Sequence, residues 1–328
     1  MAAPPTPPGQ ETPQTKIALR KDLVLVPVTV KDAAGHIVLG IRQDEFRIFE
    51  DGVEQTIEVF SDEAFPVSAV VLIDNDLPRK AVRQVNATLA AIAGGFSAED
   101  EASLCTFDQM FHEGPGFTTG DKLLAELEQL RLDHPTAPPP SGGPFSLGPR
   151  INGQSPSGGP IDPGGGMTIG GKSTKAVDDA LYAAAQVLRD QSRAWRKIIM
   201  LVSDGANGMN NTYRFEDALK ALLSADISVY GIGVGSAMKD RNASLLSLYA
   251  QATGGDVYYA TSNDDLSNLY ARATEEARNG YTLAYSPAAT NRTRGYHAIQ
   301  VLVKRPDVTV LARRGYYPTT APAPPLPR

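Results

Sequence analysis

The sequence predicts an α/β protein: a doubly wound, mostly parallel sheet with helices on both faces, plus a small β module built from the two ends of the chain. Three observations predict it. Val67–Ile73 and Ile198–Val202 are short apolar runs rich in β-branched residues, the texture of strands buried on both faces. Between and after them, strand-like runs alternate with segments of helical periodicity, the order that yields right-handed crossovers and a parallel sheet. Outside this region, before Phe65 and after Gly280, the pattern is strand and turn without helix.

In chain order, residues 1–16 are rich in Pro, Thr and Gln and read as a disordered tail. Residues 17–64 form the first half of the β module. Leu23–Val30 is strand-like, with Pro27 predicting an edge position or a bulge. Phe46–Phe49, Glu50-Asp51-Gly52 and Thr56–Phe60 read as a hairpin turning at Asp-Gly. Residues 65–279 form the α/β domain. Its helical faces are marked by Val82, Val85, Leu89 and Ile92; by Leu123, Leu124, Leu127 and Leu130; by Val177, Leu181, Ala184 and Leu188; by Leu219 and Leu222; by Leu245 and Leu248; and by Leu266, Tyr270, Ala273 and Ala277. Its further strands are 102–107, 228–234 and 257–260. A Pro/Gly/Ser-rich segment at 134–171 interrupts it and reads as a flexible loop. Residues 280–317 supply the second half of the β module, and 318–328 a Pro-rich tail. The two halves are expected to share a core of Leu25, Phe49, Ile57, Leu283, Ile299 and Val301.

Composition narrows the function. At 328 residues the chain has ample material for a core, and a net charge of −6 without a Lys/Arg block argues against a nucleic-acid partner. No run of 18 apolar residues marks a transmembrane helix, and the start lacks the basic and apolar regions of a signal peptide. The single cysteine, Cys105, sits in an apolar run and reads as a small buried hydrophobe. The four histidines lack the paired spacing of a zinc site, and no nucleophile elbow is present. The chain reads as a non-enzyme.

Both buried runs end on acids, Asp74 and Asp76 in one and Asp204 in the other, at the sheet edge where open α/β folds bind ligands. The stretches Val28–Gly35, Phe46–Gly52, Val70–Asp74, Leu201–Gly205, Ala252–Gly255, Tyr281–Pro287 and Arg313–Tyr317 together resemble the von Willebrand factor type A family, and more closely its bacterial von Willebrand factor A-related members. The resemblance implies a Rossmann-like fold and a protein-interaction or adhesion module, extracytoplasmic or secreted. It also implies a metal-ion-dependent adhesion site, Asp-x-Ser-x-Ser plus a distant Thr and Asp, which holds Mg²⁺ or Ca²⁺ through oxygens and leaves one position for an acidic side chain of a protein partner.

Carried onto this chain, the metal set is Asp74, Asp76, Asp204, Ser173 and Thr174, and it is degenerate. Asp76 stands where the first Ser belongs and Pro78 where the second does, while Lys175 falls at the place of the distant Thr. Any Mg²⁺ or Ca²⁺ is expected to bind weakly or not at all, with Arg79 and Lys80 able to neutralise the acids instead. Asn75, Arg79, Lys80 and Asn207 are the expected partner contacts. A competing motif, Gly166–Ser173, matches the P-loop pattern G-x-x-x-x-G-K-S and suggests a nucleotide hydrolase with Lys172 on the phosphates. Its context opposes that reading, because the preceding residues are loop rather than strand. A structural protein with a decayed site is the third alternative.

Overall fold

A computed structural model describes residues 23–132, 175–191, 195–239, 244–287 and 295–318. The N-terminal part contributes strands β1 (Val24–Lys31), β2 (Phe46–Glu50), β3 (Val53–Gln55) and β4 (Val59–Ser61). The α/β region follows as β5 (Val67–Asp74), α1 (Arg79–Ala93), β6 (Glu101–Phe107), β7 (Phe111–His112), α2 (Gly120–Gln129), α3 (Val177–Arg189), β8 (Arg196–Ser203), α4 (Phe215–Ser224), β9 (Ile227–Gly233), α5 (Leu245–Thr253), β10 (Val257–Tyr259) and α6 (Asn263–Asn279). The chain closes with β11 (Tyr281–Tyr285), β12 (His297–Val303), β13 (Thr309–Ala312) and β14 (Gly315–Tyr316).

The central sheet has the order β10-β9-β8-β5-β6-β7, parallel throughout except for the short antiparallel edge strand β7. All eight residues of β5 are buried, and the alternation of its side chains explains why. Val67, Ala69, Val71 and Ile73 join one apolar layer with residues of α1, α2 and α6. Val70 and Leu72 join the opposite layer with residues of α3, α4 and α5. A strand covered on both faces has no polar side, so the run is continuous rather than alternating. Strand order reverses between β5 and β8, and an α/β sheet opens a crevice at that point, outside the strands' carboxyl ends.

The two chain ends interleave in two antiparallel sheets, β13-β1-β11-β4 and β14-β12-β2-β3. Each contains strands from both ends, and they share one core that includes Val24, Val26, Val28, Val30, Phe46, Ile48, Tyr281, Leu283, Ile299 and Val301. Two members of the expected core are displaced by one residue. Leu25 and Phe49 are only partly buried, and the inward positions belong to Val24 and Val26 and to Phe46 and Ile48. A period of two leaves no middle course: the neighbour of an inward residue faces out. The hairpin also differs. β2 pairs with β3 through the two-residue Asp51-Gly52 loop, whereas residues 59–61 leave for the other sheet and pair with β11. Pro27 lies where β1 is paired with β11 alone, since pairing with β13 begins at Val28.

Ion pairs of Lys31 and hydrogen bonds of Arg196 join the β module to the central domain. Lys31 Nζ lies 2.5 Å from Asp256 and 2.6 Å from Glu276. Arg196 donates to the carbonyl of Ala277 at 3.0 Å, to Thr282 Oγ1 at 3.1 Å and to the carbonyl of Gly280. Among the described residues no helix is long and apolar enough to cross a membrane.

Candidate functional site

The register of the central sheet places Ile73 beside Val202, so Asp74 and Ser203 end their strands together and Asp204 follows one residue on. Asp74 is fully buried. Its Oδ1 accepts the Asp76 N–H at 2.9 Å, a turn that carries the chain out of the sheet toward α1. Its Oδ2 accepts the Ser203 hydroxyl at 2.8 Å and the Lys175 ammonium at 3.0 Å. The same Nζ donates to Asp204 Oδ1 at 2.9 Å, which also takes the Ala206 N–H at 3.1 Å. One lysine thus joins the acids of two neighbouring strands.

Local backbone contacts deliver that lysine. The Lys175 carbonyl accepts the Gly208 N–H at 2.6 Å, and the Ala176 N–H donates to the Asp108 carbonyl at 2.9 Å. Asn207 Oδ1 accepts the Val177 N–H at 3.0 Å, and Asn207 Nδ2 donates to Asp178 at 2.9 Å. Asp178 in turn accepts the Tyr249 hydroxyl at 2.7 Å. The loops after β6 and β8 therefore grip the start of α3 from two sides.

Only 5% of the Lys175 side chain is exposed. Burial works against its charge, but the pull of Asp74 and Asp204 is larger, and the ammonium pKa lies above the ordinary lysine value. Burial pushes the Asp74 carboxyl up, against the opposing pull of Lys175 and Ser203. Fixing a lysine costs about 2 kcal/mol of rotamer entropy, and each charge-assisted hydrogen bond returns about 1.5–3 kcal/mol. Desolvation of the three charges takes several kcal/mol more per ion. The triad therefore specifies an arrangement more than it adds stability.

The expected site residues divide accordingly. Asp74 and Asp204 meet at Lys175. Asp76 is half-buried beside them, its backbone tied to Asp74. Ser173 and Thr174, like the Gly166–Ser173 motif and Lys172, lie outside the described residues. Arg79 and Lys80 are exposed at the start of α1, so the cation that meets the acids is Lys175 and not either of these. Asn75 is half-buried, its N–H donating to the Phe107 carbonyl at 2.7 Å. Asn207 is half-buried, and its amide holds the start of α3 and Asn211. Cys105 is buried as expected, and burial raises its pKa.

A divalent ion needs several oxygens free to converge at about 2.0–2.6 Å. Here the converging point of the two carboxylates carries Nζ, and the Ser203 proton is aimed at Asp74 while its oxygen accepts the Gly205 N–H at 3.1 Å. Among the described residues the donor set does not fit Mg²⁺ or Ca²⁺.

Sequence reading missed a second group, Glu50, Asp51 and His297, whose ligand atoms lie within 4.8 Å of one another. His297 Nδ1 contacts Asp51 Oδ2 at 2.8 Å, the Ala298 N–H donates to Asp51 Oδ1 at 2.8 Å, and the Tyr316 hydroxyl donates to Glu50 at 2.8 Å. These contacts fasten the β2–β3 turn onto β12. Asp51 and His297 are separated by 246 positions, which left no local spacing to find.

Residues 165–272 match the family model described as von Willebrand factor type A domain. Over those residues the chain is similar to a von Willebrand factor type A domain. The match takes in β8 with Asp204 and begins after β5, which holds Asp74. A sequence comparison with curated proteins finds no match. Similar solved structures include proximal thread matrix protein 1 of the mussel byssus, at 13% identity and a TM-score of 0.43, covering 66% of this chain and 49% of that one. Others are BatB of Bacteroides thetaiotaomicron (14%, TM-score 0.41, 64% and 98%) and a von Willebrand factor type A protein of Catenulispora acidiphila (10%, TM-score 0.43, 93% and 75%). This chain spans about half the length of the mussel protein. Von Willebrand factor A domains are interaction modules, typically non-catalytic, and commonly bind divalent metals.

Proposed function

We infer that the chain is a non-catalytic, extracytoplasmic interaction module that binds a protein partner at the C-terminal edge of its central sheet. The observation that carries this reading is what surrounds the Lys175 triad. Exposed Arg79 and Lys80 follow β5, exposed Met110 follows β6, and exposed Met209 follows β8. The two methionine loops flank Lys175, through the Asp108 and Gly208 backbone contacts. Flexible methionines are suited to apolar contact with a partner surface, and a cationic pair beside them suits an acidic side chain of that partner.

The test is affinity capture with the immobilised chain. A partner held by the unaltered chain and by Lys304→Glu, a charge reversal on β12's following turn, should be lost by Arg79→Glu/Lys80→Glu. Equal retention by the double variant would remove this edge from consideration.

A further inference from the structure

We propose that Lys175 is a built-in cation that takes the place of the divalent ion of the adhesion site, so that the edge of this sheet works without metal. The fold of the site is the ground for this. Asp74 and Asp204 converge from adjacent parallel strands, as carboxylates must to share one cation, and the point they share is 3.0 and 2.9 Å away at Lys175 Nζ. An ion bound to both oxygens would need that volume, and a second cation beside an ammonium in so buried a place would be repelled at close range.

The lysine is placed, not adventitious. Its carbonyl and the next N–H are fixed by the loops after β8 and β6, and the second N–H after it is held by Asn207. The oxygens around it are spent on the same arrangement: Asp74 on Asp76 N–H and Ser203, Asp204 on Ala206 N–H, Ser203 on Gly205 N–H. An ammonium has three N–H donors and no empty coordination position. A partner carboxylate therefore has no metal to ligate here and must be met by side chains at the rim. The proposal concerns the cation alone and stands whether or not a partner binds at this edge.

Two measurements on the full chain decide it. After chelator treatment, Mg²⁺, Ca²⁺ or Mn²⁺ at millimolar concentration should leave the melting temperature unchanged and give no binding isotherm attributable to Asp204. Lys175→Ser frees the carboxylate pair, so this variant should melt lower than wild type and recover on adding Mn²⁺, with one ion bound. Lys175→Ser/Asp204→Asn should lose that recovery. A wild-type chain that binds Mn²⁺ and loses it in Asp204→Asn overturns the proposal, as does a folded Lys175→Ser that binds no ion. Should Lys175→Ser not fold, lysine ¹⁵Nζ NMR decides: a solvent-protected Lys175 ammonium signal unmoved by Mg²⁺ supports the built-in cation, and its displacement by Mg²⁺ refutes it.

Discussion

Asp100 closes the far end of the central sheet from the candidate site. It is fully buried and accepts the N–H groups of Val67 and Ser97 at 2.7 Å each, the Ser97 hydroxyl at 2.8 Å, and the Arg278 guanidinium. One carboxylate thereby ties the start of β5, the turn before β6 and the end of α6. Burial alone would raise its pKa, but Arg278 and the donors from Ser97 and Val67 outweigh that, and the folded value lies below 3.8. A depressed carboxylate contributes stability that is present above the unfolded pKa and lost as pH falls through the folded one. Asp100→Asn should therefore destabilise by about 3 kcal/mol near neutral pH, as removal of one partner of a buried pair does. Urea unfolding at a series of pH values checks it: the gap between variant and wild type should narrow once pH drops below about 3.8. A constant gap would mean that the carboxylate charge is not its source. At this scale the sequence was readable where spacing was short. Asp74 and Asp204 end recognisable apolar runs, and Lys175 falls where a hydroxyl was expected. That its ammonium reaches both acids depends on the loops at Asp108 and Gly208, which only the fold brings beside it.

Among the elements, two glycines separate backbone strain from steric conflict. Gly52 has φ +82° in the β2–β3 turn and open space where a Cβ would stand. With Asp51 at φ 49°, it makes the two-residue turn whose twist suits a hairpin. Gly255 links α5 to β10, and a Cβ there would lie 2.0 Å from the Val229 carbonyl oxygen. Gly52→Ala should cost only the left-handed strain, about 1–2 kcal/mol. Gly255→Ala must displace backbone and should cost about 3 kcal/mol or more. Chemical denaturation ranks the two, and a larger loss at Gly52 would show that the turn, not the α5–β10 contact, is the more constrained. The Asp-Gly turn was legible; its second strand was not. Residues 53–55 are Val, Glu and Gln with Val53 63% exposed, so no apolar alternation marked them. β7 and β14, two residues each, fall below any periodic signal.

For the molecule as a whole, the question is whether the two chain ends form one folding unit around the central domain. Apart from the Lys31–Ile37 bridge, the described pairings of β1 are with C-terminal strands, β11 on one side and β13 on the other, and β2 has β12 beside it. The N-terminal strands alone would keep the short β2–β3 hairpin and the Lys31–Ile37 bridge, and such small ribbons are marginal in water. Val24, Val26, Val28, Val30, Phe46 and Ile48 are buried in the shared core, and each such side chain contributes about 1.5–3 kcal/mol on full burial before entropy is counted. The central domain depends on none of these pairings: β5 and β8 lie between strands of their own sheet, covered by their own helices. Ending the chain after Gly280 should therefore leave β5 and β8 protected from hydrogen exchange while 24–31 and 46–50 lose protection. The opposing influence is Lys31, whose partners Asp256 and Glu276 would remain. These two ion pairs can hold the end of β1 near α6, but they cannot replace two lost ladders of backbone hydrogen bonds. Protection persisting through 24–31 in the shortened chain would show that the N-terminal strands are held by the central domain instead, and that the C-terminal strands only add to a structure already formed.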